Sequence, residues 1–221
     1  MKNNLTRRDF LKNSSLVAAG LAALPAAPSL QAAASPNNRL RVAVIGCNGR
    51  GMAHIAALLE VPNVEIACVC DVDRRALEKG IAAAARKQST TPKGEKDLRK
   101  LLEDPGIDAV TIATPEHWQT PATLLACAAG KHVYVEKPAS HNGRESELIV
   151  AAARKHKRVV QMGNQRRSWP WVIESIQAVH AGEVGQVYFA RGWYTNRRPS
   201  IGRGKPAPVP EWLDYALWQG P

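Results

Sequence analysis

From Leu40 onward, short apolar runs alternate with helix-length segments, and this alternation dictates the fold. The runs are RVAVIG (41–46), VEIACVCD (64–71), IDAVTIATP (107–115), KHVYVEKP (131–138) and RVVQMGN (158–164). Several are apolar on both faces, as a strand must be when helices cover its sheet on both sides. Between them the sequence predicts helices over residues 52–60, 74–86, 96–103, 121–129 and 144–157, each ended or followed by Gly, Pro or basic residues. Strand–helix–strand repetition joined by right-handed crossovers is the signature of an α/β doubly wound parallel sheet, a Rossmann fold. The polar stretch QSTTPKGEKD (88–97) reads as a loop.

The first run ends in a turn that carries chemistry. Gly46, Gly49 and Gly51 lie between an apolar strand and a helix, with Asn48 where the usual G-x-G-x-x-G pattern has its second glycine. Such a turn lets the backbone approach a pyrophosphate, while the following helix offers unpaired N–H groups and its positive dipole end. Asp71 ends the second strand about 20 residues after the last glycine, where an acid accepts the adenosine ribose hydroxyls. A carboxylate there repels a 2′-phosphate and favours NAD. Arg74 and Arg75 nearby keep NADP open.

Ligands of open α/β sheets lie beyond the carboxyl ends of the strands. TPEHW (114–118) follows one such end, and its Thr114 and His117 are candidates to line a nicotinamide pocket. EKP (136–138) follows another. Glu136 and Lys137 point in alternate directions, so only one of them faces the cleft. A lysine facing a desolvated cleft can hold a substrate hydroxyl and tune its proton loss as a hydride leaves carbon.

After Gln165 the pattern changes. A helix over residues 171–180 and an alternating strand, GQVYFARGWYT (185–195), read as the start of a second domain, followed by a Pro- and Gly-rich stretch that stops without a closing element. The expected organisation is a Rossmann domain over 38–165 and the incomplete beginning of an α+β substrate domain over 166–221. Residues 1–34 are set apart. TRRDFLK (6–12), with its twin Arg7 and Arg8, precedes an uncharged Ala- and Leu-rich stretch interrupted by Gly20, Pro25 and Pro28 and ending in Ala32-Ala33-Ala34. It resembles the address read by the twin-arginine translocase, which implies periplasmic export of a folded, cofactor-loaded protein and no lasting membrane span.

Of the formal net charge of +11, Lys2, Arg7, Arg8 and Lys12 against Asp9 carry +3, leaving +8. The charges are scattered, the densest cluster being RRPSIGRGK (197–205), with no helix-turn-helix, zinc finger or aromatic platform beside it. A nucleic-acid role is not expected. Cys47, Cys68, Cys70 and Cys127 are too few and too badly spaced for a zinc site, and no metal is expected.

Taken in order, the glycine turn, Asp71, ATPEHW, EKP and GNQRR resemble the Gfo/Idh/MocA oxidoreductases, over about residues 40–221. That resemblance implies a nicotinamide-dependent enzyme acting on sugars or cyclitols, with NAD as cofactor and NADP as the other choice. It implies Lys137 as the catalytic lysine and a cis bond before Pro138. It places Gly46, Asn48, Gly49, Arg50, Gly51, Asp71, Thr114, Pro115, His117, Glu136, Lys137 and Asn164 at the cofactor, and Gln165 and Arg166 near the cofactor or substrate. LDYALWQGP (213–221) resembles a segment in which Trp218 approaches the nicotinamide end. Members of the family continue through an open antiparallel sheet with a downstream Asp and His pair, through which they often form homo-oligomers. The expectation is therefore a piece of a longer protein or a shortened relative, since a lone ammonium group is a poor base near neutral pH. Two alternatives accompany the dehydrogenase reading: a redox-neutral NAD-dependent glycoside hydrolase or lyase, and a non-catalytic nucleotide- or carbohydrate-binding protein.

Overall fold

The structure, a computed structural model, describes residues 39–220. The twin-arginine segment expected over residues 1–34 lies outside them.

Six parallel strands form one sheet in the order β3-β2-β1-β4-β5-β6. They are β1 (Leu40–Ile45), β2 (Val64–Cys70), β3 (Lys93–Glu95), β4 (Ala109–Ile112), β5 (His132–Glu136) and β6 (Val160–Gly163). This is the doubly wound order in which the chain reverses direction between β1 and β4, and the crevice at that reversal is where such sheets bind ligands. The linking helices are α1 (Arg50–Leu58), α2 (Arg74–Ala85), α3 (Leu98–Leu102), α4 (Glu116–Ala128) and α5 (Gly143–His156). Side chains prepare their starts. Asp73 accepts the amides of Arg75 and Ala76 at the head of α2, Asp97 that of Arg99 before α3, and Asn142 that of Glu145 before α5.

The core is two layers, one on each face of the sheet. Val44, Ile66 and Val69 pack against Ile55 of α1 and Ala76 and Ala84 of α2. On the other face Ala43, Ile45, Val110, Ile112, Val133 and Val135 meet Leu98, Leu101 and Leu102 of α3 and Ala122, Ala126 and Cys127 of α4. Strict alternation would put Ile66 on the same face as Cys68. A register shift opposite Val42 and Ala43 inserts Ala67 as an extra residue, so Ile66 and Cys68 belong to opposite layers. Cys68 and Cys70 then share a face, as expected, and all four cysteines are buried free thiols.

Three boundaries differ from expectation. β3 falls inside the stretch read as a loop, because an edge strand paired through its backbone needs no apolar alternation and Lys93-Gly94-Glu95 has none. Helix α4 begins at Glu116 rather than Pro121. Pro121 lies within it and leaves the carbonyl of His117 without an i+4 donor. The strand expected over 185–195 is absent: residues 185–210 carry no helix or strand, and Tyr188, Phe189, Trp193 and Tyr194 are exposed. An alternating segment becomes a strand only when a neighbour completes its ladder, and no described strand pairs with it.

Helix α6 (Pro170–His180) follows a single 3-10 turn at Gln165–Ser168. The short helix α7 (Tyr215–Gln219), which the sequence reading did not anticipate, belongs to a segment that returns to the carboxyl edge of the sheet. Among the described residues no helix is long and apolar enough to cross a membrane, and no group of His, Cys, Asp or Glu could hold a metal ion.

Candidate dinucleotide cleft and catalytic edge

The turn after β1 is packed so tightly that only glycine fits at two positions. Gly46 has φ 86°, and a Cβ there would lie 2.8 Å from the backbone carbonyl carbon and oxygen of Ala113 and 3.0 Å from the Thr114 nitrogen. This is the place where β1 and β4 part. A Cβ on Gly51 would run into the Gly46 carbonyl, so its absence brings α1 hard against the turn. Gly49, with φ 48°, caps α1 and has nothing within 4 Å of where a side chain would begin. No side chain caps α1 and no acid stands in its first turn. The Gly49 amide donates to Asn48 Oδ1 at 3.0 Å and the Gly51 amide to the Asn48 carbonyl at 2.9 Å, but no side chain caps the other amides at the helix start, and the bare backbone gives an anion room beside them.

Asp71 joins the turn to the next strand. Its Oδ2 accepts the Cys47 amide at 2.7 Å and its Oδ1 the Asp73 amide at 2.9 Å. Burial raises its pKa, and those two amide bonds only partly offset the effect. A cleft of about 420 Å³ runs along the carboxyl edge of the sheet, lined by Gly46, Asn48, Asp71, Thr114 and Pro115 among others. The Thr114 Oγ1 on this lining is buried without a hydrogen-bond partner. The bare glycine turn, the uncapped helix start, the acid at the end of β2 and this orphan hydroxyl together fit a dinucleotide.

Thr114 and Pro115 also line an adjoining cavity of about 450 Å³ with Arg50, Glu136, Lys137 and Gln165. Glu136 and Lys137 both touch this cavity, contrary to the expectation that only one would face the cleft, but they differ in burial. Glu136 is 4% exposed and turned inward, where its Oε1 accepts Arg50 Nε at 2.8 Å and lies 3.0 Å from His54 Nε2. Burial works to raise the Glu136 pKa, but the bonds from Arg50 and His54 outweigh it and hold the carboxyl below its ordinary range. Lys137 is exposed. Its bond to Pro138 is cis. The next residue, Ala139, sits in the left-handed region at φ 67° and is fastened to α4 by two bonds. Gln119 Oε1 accepts the Ala139 amide at 2.7 Å, and Thr120 Oγ1 donates to the Ala139 carbonyl at 2.9 Å. A strained residue persists only when its surroundings over-determine it, so α4 fixes where Lys137 stands.

Asn164, Gln165 and Arg166 lie beyond β6 around a third cavity, of about 790 Å³, shared with Arg50, Tyr134 and Trp169. Gln165 holds φ 48°, a left-handed backbone at the end of a strand. Arg50 and Gln165 connect this cavity to the one beside Lys137. The structure thus places the candidates at the carboxyl edge of the sheet. Gly49, Gly51 and His117 are on none of these three linings, and His117 Nε2 lies 2.8 Å from the Trp218 carbonyl.

Several lining residues escaped the sequence reading. Trp212, Leu213 and Leu217 complete the wall of the first cleft with Trp218. Their segment is held by Trp118 Nε1, which donates to the Leu217 carbonyl at 2.8 Å, and by an antiparallel bridge between Asp73 and Leu213. The resemblance of LDYALWQGP (213–221) implied an approach of this segment through Trp218, but the composition of the Pro-rich stretch gives no sign of Trp212, Leu213 or Leu217 on the wall. His54 had a weak signal, an imidazole three residues after Gly51 on an otherwise apolar helix face.

The sequence profile of the Gfo/Idh/MocA family, described as an oxidoreductase family with an NAD-binding Rossmann fold, matches residues 40–164. A glycosyl hydrolase family 109 protein of Saccharopolyspora erythraea is 32% identical over 212 residues, covering 87% of this chain and 46% of the relative. The scyllo-inositol 2-dehydrogenase (NAD(+)) of Bacillus subtilis is 31% identical over 157 residues, covering 71% of this chain and 44% of the enzyme. Among solved structures, an NAD binding oxidoreductase from Klebsiella pneumoniae superimposes with a TM-score of 0.57 at 27% identity, over 66% of this chain and 40% of that one. The chain spans less than half the length of the curated relatives it matches.

Proposed function

This chain belongs to the Gfo/Idh/MocA oxidoreductase family, with its NAD-binding Rossmann fold, and from that premise we propose that it serves hydride transfer between NAD and a sugar or cyclitol. The observation that carries the reading is the continuous edge from the glycine turn, past Thr114 and Pro115, to Lys137 and Gln165. The α1 amides and the glycine turn hold the pyrophosphate, and Asp71 takes the adenosine ribose hydroxyls. A nicotinamide held there would supply a hydride acceptor for a carbinol carbon, or a hydride donor for a carbonyl, with the hydroxyl proton exchanging with water at the exposed Lys137 edge. Lys137 holds the substrate hydroxyl and stabilises the charge on its oxygen as the proton leaves. Glu136, committed to Arg50 and His54, positions Arg50 beside the pocket. Gln165 and Arg166 form the substrate side.

A second reading has its own support. Relatives named glycosyl hydrolase family 109 stand beside the inositol dehydrogenase. Oxidation followed by re-reduction of one substrate would cleave a glycoside with no net change in NAD, and a tightly held cofactor suits that cycle. We further infer export through the twin-arginine pathway, on the strength of Arg7, Arg8 and the apolar stretch behind them. The natively expressed protein, incubated with inositols, monosaccharides and aryl glycosides, separates the readings. Reduced nicotinamide absorbance rising with a cyclitol or free sugar supports the dehydrogenase. Sugar release with constant absorbance supports the hydrolase. Neither product, with bound dinucleotide intact, would contradict both.

A further inference from the structure

Which dinucleotide the cleft accepts can be argued from its charge, given the dinucleotide reading above. An adenosine ribose held by Asp71 has its 2′ position beside the residues that follow β2, and sites that take NADP put a cation there. Two cations stand near, Lys96 and Arg75, and both are already committed. Lys96 Nζ lies 2.8 Å from Asp214 Oδ2. Arg75 donates through its Nε and a terminal nitrogen to Asp73 at 3.2 and 3.0 Å, with its guanidinium carbon 3.3 Å from the centroid of the Trp212 ring. Of these only Lys96 lines the cleft; Arg75 and its neighbour Arg74 stand outside the lining.

Trp212 and Asp214 owe their places to the backbone. The Arg74 amide donates to the Trp212 carbonyl at 2.9 Å, and the Asp214 amide donates to the Val72 carbonyl at 3.0 Å. The segment therefore delivers an aromatic face and a carboxylate to the rim together. The charged side chains on the cleft lining are Asp71, Asp73 and Asp97 against Lys96. Asp97 has its own cation in Arg99. A 2′-phosphate, bringing a charge of about −2, would meet these carboxylates and find Lys96, the cation on the lining, already paired with Asp214.

We propose that residues 212–214 make the cleft selective for the dinucleotide that lacks a 2′-phosphate, by engaging Lys96 and Arg75. Specificity then resides in Asp214 and Trp212 as well as in Asp71, some 140 residues earlier in the chain.

The test is calorimetric titration of the full chain, stripped of ligand, with NAD+ and with NADP+. Asp214→Asn is the informative variant, because asparagine can still cap α7, as Asp214 does through the Leu217 amide, while losing the charge that holds Lys96. The unsubstituted chain should bind NAD+ at least about tenfold more tightly than NADP+. Asp214→Asn should strengthen NADP+ by roughly fivefold, the scale of an exposed ion pair, and leave NAD+ within about twofold. Adding Asp73→Asn should strengthen NADP+ further, and adding Lys96→Ala to Asp214→Asn should erase that variant's gain. Equal binding of the two dinucleotides by the unsubstituted chain would overturn the inference alone, as would an equal gain for both in Asp214→Asn. So would loss of NADP+ affinity on Lys96→Ala in the unsubstituted chain, since Lys96 would then already reach the phosphate. Binding of neither dinucleotide would overturn the dinucleotide reading itself.

Discussion

Asp71 Oδ2 accepts the Cys47 amide at 2.7 Å, so the acid that ends β2 also ties down the glycine turn that follows β1. One side chain thereby aligns two parts of the proposed dinucleotide site. Asp71→Ala removes both functions and is expected to weaken NAD+ by about tenfold or more, since a hydrogen bond to a charged group is worth roughly 1.5–3 kcal/mol. Calorimetry on the folded variant measures it.

The same residue makes binding depend on pH. Burial raises the Asp71 pKa above the ordinary 3.8, against the pull of its two backbone bonds. The folded protein without ligand therefore takes up this proton more readily than the unfolded chain, and ionised Asp71 is a cost to the fold above the ordinary value. Ribose hydroxyls donate to the ionised form. NAD+ affinity should rise with pH through the raised value and level off above it. Asp71→Asn, which cannot ionise, should flatten that rise.

Glu136 has the opposite sign. Burial raises its pKa, but the bonds from Arg50 and His54 prevail and hold it below the ordinary 4.5. Its contribution to stability is complete above 4.5 and is lost as pH falls through the lower folded value. Denaturant midpoints measured across that interval should therefore fall faster for the unsubstituted chain than for Glu136→Gln.

Gly46→Ala places a Cβ 2.8 Å from the Ala113 carbonyl group at a residue with φ 86°. The combined strain and overpacking should cost about 3 kcal/mol, read as a lowered denaturation midpoint. Gly49→Ala meets no neighbouring atom and carries only the strain of its positive φ. It should cost about 1 kcal/mol.

On the proposed hydride transfer, Lys137→Ala should nearly abolish turnover in the natively expressed protein while NAD+ still binds, because Lys137 is the residue proposed to serve the substrate hydroxyl. Gln119→Leu tests its support. It removes the acceptor of the buried Ala139 amide, which should cost about 1–3 kcal/mol of stability, and should lower kcat by disturbing the placement of Lys137.

The layered α/β fold was legible because burial on both faces leaves β1, β2 and β4 largely apolar, and the glycine turn because Gly46 and Gly51 answer local crowding. What the sequence could not show arises from contacts between distant residues. Lys93-Gly94-Glu95 is a strand only because β2 offers it an edge. His117 has the residue type and position of a pocket imidazole, yet the Trp218 carbonyl claims it. Alternation over 185–195 reports a strand's pattern without supplying a neighbour. Ala67, a small apolar residue in a strand, gives no sign that it will be the extra one.

The account stands on a dinucleotide seated at the junction of β1 and α1, and amide NMR of the full chain during titration with NAD+ tests this most directly. It predicts that the amides of Cys47, Asn48, Gly49, Arg50 and Gly51 shift together with those around Asp71, saturating at one equivalent. If those amides stay in place in the folded protein while NAD+ is added to excess, the account is contradicted.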